Sequence, residues 1–574
     1  MNRWLPIVVR FEFALTLMIG VGTWVGCEPG GIDPGGPVHL DQDGGASDIA
    51  ASVDALAVCA KLEFDNPIDQ ALCPQLQGVG LSPRYADPYS VCRRLAIDFL
   101  GRVPSWNEVT SQCVGKSPAE VLDVWTTRDE YVELARRRFA DRFEYNDGIV
   151  YYQYIVALDA LVQDLYRGKL TYDEFVIEAL VAPAYTMRHF GESRVSRAFQ
   201  VFLGRDAHGV ERSDLQRLWT MWVPMYAVDE DFDFGLEYYE ATVYTSFCTP
   251  PYDELFCTSH FYGKHKVALE VANPLLFDDP ANILSLDELT PAQWEILKTP
   301  GKVLTTLPMF HEYAVTEALN RLLGWDAATR LPEVRQSLVE YFVGPAQLDI
   351  REVEKVIASS SLYLQVPQPA DDVVEPITGE PARWRYSPRK VMEVETWMDS
   401  VQSITGYGIG RCDPRFAYVR GGYINNVYQY VDHEYPVADP NNNAPDMRYA
   451  DVARLLGGCP DHYESFRYTG TGVVHTLDQE SFIQQMCWSP LAGGLSPGGA
   501  FGVWEKPSFD LPSLNLAMTH WTRAAWSREM RPEEVGFVEG LAKACGEKGA
   551  ECEPETLLPH LCTAMLKTAE FYHY

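Results

Sequence analysis

The 574-residue sequence contains no Cys-x-x-Cys-His, so it lacks the paired thiols and axial histidine that covalent haem attachment requires. It has no phosphate-cradling glycine loop, no dinucleotide-binding glycine fingerprint and no His-Glu-x-x-His zinc helix. Basic residues are scarce: 47 Lys and Arg stand against 80 Asp and Glu, a formal net charge of −33. A surface that acidic repels phosphate backbones and speaks against nucleic acid as a partner. The apolar run Phe13 to Val21 falls short of the roughly 20 residues a membrane-spanning helix needs. What is plentiful is core material. With 47% hydrophobic and 12% aromatic residues, a chain this long is expected to form more than one domain.

The N-terminus reads as an address. Arg3 and Arg10 precede the short apolar run, and Trp24-Val25-Gly26-Cys27 follows it. A charged start, a short apolar stretch and small residues before a cut site describe a secretory signal over residues 1–26. Its end resembles a bacterial lipoprotein box, with Cys27 as the lipidated residue and Trp24 where Leu is usual. The alternative is an ordinary signal cut nearby, with Cys27 unmodified. Residues 27–55, rich in Gly and Pro, read as a flexible tether. The expected location is outside the cytoplasm, as a periplasm-facing or cell-surface outer-membrane lipoprotein held by its lipid.

Thirteen cysteines suit that compartment. With Cys27 set aside, an even number remains, which favours disulfides over thiolate metal sites. Short gaps make Cys59–Cys73, Cys92–Cys113 and Cys248–Cys257 the local candidates; the rest of the connectivity stays open.

Apolar residues recur at three- and four-residue spacing in Val132–Phe143, Tyr154–Tyr166, Leu215–Trp222 and Val353–Leu362, which predicts helices. Strand-like alternation is rare; Tyr418–Tyr430 fits a strand or a Gly- and Asn-rich loop. One pattern occurs three times. Gly101-Arg102 is followed by Pro104, Glu108 and Val109, Gly204-Arg205 by Glu211 and Leu215, and Ser527-Arg528 by Pro532-Glu533-Glu534-Val535. Each reads as a helix end, a left-handed residue, an arginine, and a new helix with an acidic first turn. These five residues, Gly101, Arg102, Gly204, Arg205 and Arg528, are expected to be structural junctions, with the guanidinium bonding the open carbonyls of the ending helix or a nearby carboxylate. The fold expected is mainly α: two packed helical lobes, 56–345 and 346–574, loop-rich, stapled by disulfides and built on helix–turn–helix junctions.

The stretch Arg93-Arg94-Leu95-Ala96-Ile97-Asp98-Phe99-Leu100-Gly101-Arg102-Val103-Pro104 resembles the opening motif of a family of exported bacterial proteins common in planctomycetes. Those proteins pair two domains of unknown function, numbered fifteen-forty-nine and fifteen-fifty-three. Tyr154–Ala182, with Thr171-Tyr172-Asp173-Glu174-Phe175 at its centre, is similar to the continuation of the first domain. Ile350–Tyr363, Tyr386-Ser387-Pro388-Arg389 and Leu561–Phe571 resemble parts of the second. The resemblance implies an exported, mainly helical protein, often associated with c-type haem domains, and assigns no activity. Family members carry a Cys-rich, His-containing stretch late in the first domain; the nearest match here is Cys248, Cys257, His260 and His265, without the adjacent thiol pair.

Other constellations are weak. Those same four residues permit zinc, although an oxidising compartment favours a disulfide. Gly494-Leu495-Ser496-Pro497-Gly498 has the spacing of a nucleophile elbow, but Pro497 has no N–H for an oxyanion hole, which rejects it. Asp439, Asn441, Asn443 and Asp446 place oxygens for an irregular calcium loop, yet Ala444 and Ala450 exclude an EF-hand, and a plain Asn-rich turn suits the same residues. Asp432-His433-Glu434 and the acidic run Asp229–Phe234 read as solvated loops. No catalytic residue and no cofactor are assigned, calcium aside. The function expected is a cell-envelope binding or assembly component with an envelope protein or polysaccharide as partner. The alternative is an extracytoplasmic hydrolase acting on polysaccharide or another polymer through acidic residues.

Overall fold

A computed structural model describes residues 66–79, 85–145, 152–189, 192–228, 265–273, 276, 284–285, 288–366, 389–405, 421–424, 427–430, 456, 458, 473–493, 510–548 and 554–574. The described chain is mainly helical. Local chemistry sets many helix starts. Ser105, Ser117, Thr171 and Thr290 each accept from the amide three residues on, while a Glu or Gln there returns a bond to the cap. Of the expected helices, three are found as Asp129–Phe143, Tyr152–Tyr166 and Ile350–Ser359.

The fourth is corrected. The helix Gly209–Leu218 stops at Trp219, whose backbone is extended and whose Nε1 donates to Leu180 O at 3.0 Å. Met221–Val228 is then strand β1, antiparallel to β2 (His265–Ala272), which pairs with β3 (Leu284–Ser285). Leu215, Leu218, Trp219 and Trp222 fit a helical period by themselves, and the strand partner lies tens of residues away. Within Tyr418–Tyr430, Gly421–Ile424 (β4) and Val427–Tyr430 (β5) are antiparallel strands, which decides for strand over loop at those residues.

The apolar interior falls into two clusters. The larger holds Phe99, Tyr131, Phe175, Phe202, Leu319 and Val353 among others; the smaller is built around Trp397, Met486, Trp521 and Phe571. Ile350, Val353 and Ile357, beyond residue 345, belong to the larger cluster, whereas Ile97 and Val103 belong to the smaller. One helix, Pro88–Leu100, therefore feeds both. Cys92 is bonded to Cys113, and Cys487 to Cys562. Cys73 is also disulfide-bonded, while Cys59 lies outside the described residues. Closing the loop between Cys92 and Cys113 restricts the unfolded chain by about 3 kcal/mol.

The three junctions are built alike. Gly101, Gly204 and Ser527 have φ of 66°, 65° and 57°. The next residue grips the glutamate six positions on with two parallel bonds: Arg102 to Glu108 at 2.9 and 2.8 Å, Arg205 to Glu211 at 2.8 and 2.7 Å, Arg528 to Glu534 at 2.9 and 2.6 Å. Each Nη1 also donates to the carbonyl of the following residue, Val103, Asp206 or Glu529. Each glutamate accepts the amide of Ser105, His208 or Arg531 at 2.8 Å. The guanidinium thus reaches forward to the new helix rather than back to the ending one, because the left-handed residue turns the chain so that arginine and first turn run side by side. Arg205's bonds are the main cause that pushes the Glu211 carboxyl down to about 2. At Glu108 burial pulls upward, but Arg102 and Arg128 outweigh it and hold the carboxyl below its usual range.

A Cβ at Gly101 would meet the mobile end of Arg137 at 2.9 Å, whereas one at Gly204 would lie 2.0 Å from the Tyr313 ring. Positive φ alone costs a side chain about 1 kcal/mol. Gly204→Ala is therefore expected to lower the thermal midpoint more than Gly101→Ala. Arg102→Ala should cost about 1–3 kcal/mol, since Glu108 loses one of its two arginine partners and Glu130 loses the bonds from Nε and Nη2. Equal midpoints for both glycine variants and wild type, by calorimetry, would contradict this account.

His189 supplies a pH dependence. It is buried, its Nε2 donates to Phe143 O at 2.7 Å, and burial is the main cause that pushes its imidazole down to about 3. Below about pH 6.5 the unfolded chain takes up a proton that the folded one refuses until about pH 3. Stability should fall with decreasing pH across that window by up to ~1.4 kcal/mol per pH unit from this group. Denaturant midpoints for wild type and His189→Gln should converge as pH falls through it; parallel profiles would rule His189 out as the source.

Candidate functional site

The helix Pro88–Leu100 begins under Asp87, whose carboxylate accepts the Tyr89 and Ser90 amides at 3.0 Å, and it ends at Gly101. Every residue from Cys92 to Leu100 is buried, three charged ones included. Burying a charge is costly unless it is paired and hydrogen-bonded, so each of the three must find partners. Arg93 donates to Ala525 O at 2.5 Å and Phe571 O at 2.8 Å. Arg94 donates to Tyr363 O and to Gln365 O. Asp98 accepts Lys390 Nζ at 2.6 Å, Tyr363 OH at 2.7 Å and Tyr574 OH at 2.9 Å.

Lys390 completes this centre. Its ammonium also donates to Leu322 O at 3.0 Å, and its backbone exchanges two hydrogen bonds with Tyr574. Burial pulls the Lys390 pKa down to about 8, against the attraction of Asp98. Burial is likewise the main cause that holds the Tyr363 and Tyr574 phenols well above their usual range. A lysine that serves as base or nucleophile needs a free lone pair. Lys390 directs its protons to both Asp98 oxygens and the Leu322 carbonyl, so the arrangement is that of a structural cation.

A second charged group packs nearby. Arg321 pairs with Glu354 and, at 3.5 Å, with Glu317. Glu354 accepts Tyr131 OH at 2.6 Å and Tyr166 OH at 3.3 Å, and Arg142 stands 3.6 Å from Glu317. Burial pulls the Glu317 carboxyl upward, but Arg142 and Arg321 outweigh it and hold it ionised. Arg138, Arg142, Tyr166, Glu317, Arg321 and Glu393 line an open recess of about 260 Å³. A more apolar cavity of about 240 Å³ lies over the Cys92–Cys113 bond, walled by Val91, Leu95, Val121 and Leu364. Tyr85 OH and Ser361 Oγ meet there at 2.9 Å.

Of the residues singled out in the sequence, Gly101, Arg102, Gly204, Arg205 and Arg528 form the junctions. Cys27, Cys248, Cys257, His260, Asp439, Asn441, Asn443 and Asp446 lie outside the described residues, as do Asp432-His433-Glu434, Asp229–Phe234 and Ser496. Among the described residues no group of three His, Cys, Asp or Glu is arranged to hold a metal ion, and no helix is long and apolar enough to cross a membrane. The sequence reading missed Asp98, Lys390, Glu317, Arg321 and Glu354. A signal existed for Asp98: an acid and two arginines in a helix whose other residues from Cys92 to Leu100 are all apolar.

Residues 67–220 match the family described as PSCyt2, a protein of unknown function (DUF1549). No curated protein and no solved structure matches the chain. The match contains the Pro88–Leu100 helix and the first two junctions, and it ends at Thr220, where helix gives way to β1.

Asp98→Asn should destabilise the protein by about 3–5 kcal/mol, because it strands the buried Lys390 charge. Adding Lys390→Met should restore part of that loss. Chemical denaturation of both variants checks this; a double variant no more stable than Asp98→Asn would show that the pair is not the source of the cost.

Proposed function

We propose that the protein is an exported, lipid-anchored component of the cell envelope that binds or assembles other envelope molecules, and that residues 346–574 form its second, fifteen-fifty-three-like part. The observation behind the binding role is that Arg138, Arg142, Arg321, Glu317 and Glu393, which line the charged recess, face opposite charges. Arg138 faces Glu393 at 3.7 Å, Arg142 faces Glu317, and Arg321 holds Glu317 and Glu354. Such a recess offers shape and polarity to a protein or polysaccharide partner and commits its ionised groups to one another. The export reading rests on Arg3, Arg10, the Phe13–Val21 run and Gly26-Cys27.

The hydrolase alternative has one observation in its favour, the presence of Glu317 and Glu393 in a single recess. Glu317 is held ionised and cannot be the protonated acid of such a pair, and Arg142 and Arg321 already face its oxygens, which leaves it badly placed as the nucleophile or base. Binding is the better-supported role.

With the whole chain expressed in a bacterial envelope, Cys27→Ser should move the protein from the membrane to the soluble fraction or block its processing. Retention in membranes by a variant whose N-terminal peptide is unmodified in mass spectrometry would refute the anchoring. Stable tethering needs more than one acyl chain, so the wild-type attachment should survive high-salt washing.

A further inference from the structure

The three junctions share one geometry but differ in what occupies the outer edge of the arginine. Arg102 turns Nε and Nη2 to Glu130 at 3.0 and 2.7 Å. Arg528 turns the same two nitrogens to Glu570 at 2.6 and 3.0 Å. Both glutamates are the second residue of their helices, Asp129–Phe143 and Ala569–Tyr572. Among the described residues Arg205 has no such partner. Its inner edge holds Glu211, its face lies over the Phe199 ring at 4.8 Å, and among the described residues no other carboxylate reaches it.

We propose that the outer edge of Arg205 is a docking seat for a partner protein, filled by a glutamate at the second position of a partner helix. The inference rests on the binding-component reading and deepens it by naming the surface and the chemistry of the partner. Two filled copies in the same chain define what fits: a carboxylate offered from a helix's first turn, bonded by Nε and Nη2 together. Such a bidentate, charge-assisted pair fixes orientation as well as proximity.

Val210, beside Glu211 on the adjoining helix, is 73% exposed and gives such a partner an apolar contact. Arg205 is partly exposed, and among the described residues no carboxylate lies on its Nε and Nη2 edge beyond Glu211.

The test uses the whole chain with its arginines labelled with nitrogen-15 at Nε. The probe is an alanine-rich helical peptide that begins Thr-Ala-Glu, the order of Thr568-Ala569-Glu570. In the chain alone, the Arg102 and Arg528 Nε–H protons should exchange slowly with water and that of Arg205 quickly. The peptide should shift and slow the Arg205 signal and leave the other two unchanged. A peptide with Gln in place of Glu should bind at least tenfold more weakly. Arg205→Lys keeps the charge but loses the Nε–H edge, and it should also weaken binding at least tenfold, while unaltered Arg102 and Arg528 signals report an intact fold. An Arg205 proton already protected in the free chain, no Arg205 response to the peptide, or equal binding of the Glu and Gln peptides would each overturn the proposal. The Arg205 signal reports this seat alone, so its failure leaves binding at the recess lined by Arg142 and Glu317 untouched, and failure of the seat and failure of the binding reading are distinguishable.

Discussion

The constraint on which the structure depends is the burial of three charges in one helix. Arg93, Arg94 and Asp98 sit within two turns of Pro88–Leu100 and have almost no access to water. Each ion must be satisfied by protein groups, and those groups come from distant parts of the chain. Arg93 takes carbonyls at Ala525 and Phe571, Arg94 takes Tyr363 and Gln365, and Asp98 takes Lys390, Tyr363 and Tyr574. The same helix places Leu95 and Phe99 in the larger apolar cluster and Ile97 in the smaller. Hydrophobic burial brings these surfaces together without direction; the three ions admit only one arrangement of them. An apolar replacement for the Asp98–Lys390 pair would also strand the Tyr363 and Tyr574 hydroxyls and the Leu322 carbonyl, so the pair acts as the centre of a network.

The junction motif solves a different problem in a similar way. A helix that ends in a left-handed residue must start the next helix at a fixed angle, and a lone glycine leaves that angle loose. Tying the arginine after the turn to the third residue of the new helix, through two bonds, sets the angle. The glutamate does two jobs at once, since the oxygen that accepts the arginine also accepts the cap residue's amide. At the first and third copies the arginine also takes the first turn of another helix, so three elements meet at one guanidinium.

Much of the helical fold was legible, because apolar periodicity and proline or acidic starts are local signals. The helix end, left-handed residue, arginine and acidic first turn of each junction were legible as well, but neither the glutamate that pairs with the arginine nor the direction in which the arginine reaches was. Strands β1 and β2 were not legible. Their pairing spans the gap from Val228 to His265, and the start of β1 also satisfies a helical period. The buried centre was half legible. Charged residues inside the apolar Cys92–Leu100 segment announce that something must neutralise Asp98. Nothing local identifies Lys390 as its partner, because a contact across 292 positions leaves no trace in spacing.

Where the positive charge goes explains the acidity of the rest. Helix ends leave carbonyls unbonded, and cations are favoured there. In this protein basic side chains from elsewhere in the chain supply them. Arg93 reaches Ala525 O in the last turn of Leu511–Trp526, Lys390 reaches Leu322 O in that of Met309–Leu323, and Arg138 reaches Asp98 O in that of Pro88–Leu100. Arg142 and Arg197 make a reciprocal version, with Arg142 donating to Val201 O and Arg197 to Arg142 O. Each such arginine or lysine gives its charge to a helix end, so fewer of the 47 basic side chains remain to answer the 80 carboxylates. Among the described residues, Arg205 keeps a guanidinium edge with the geometry of two filled sites and no carboxylate on it.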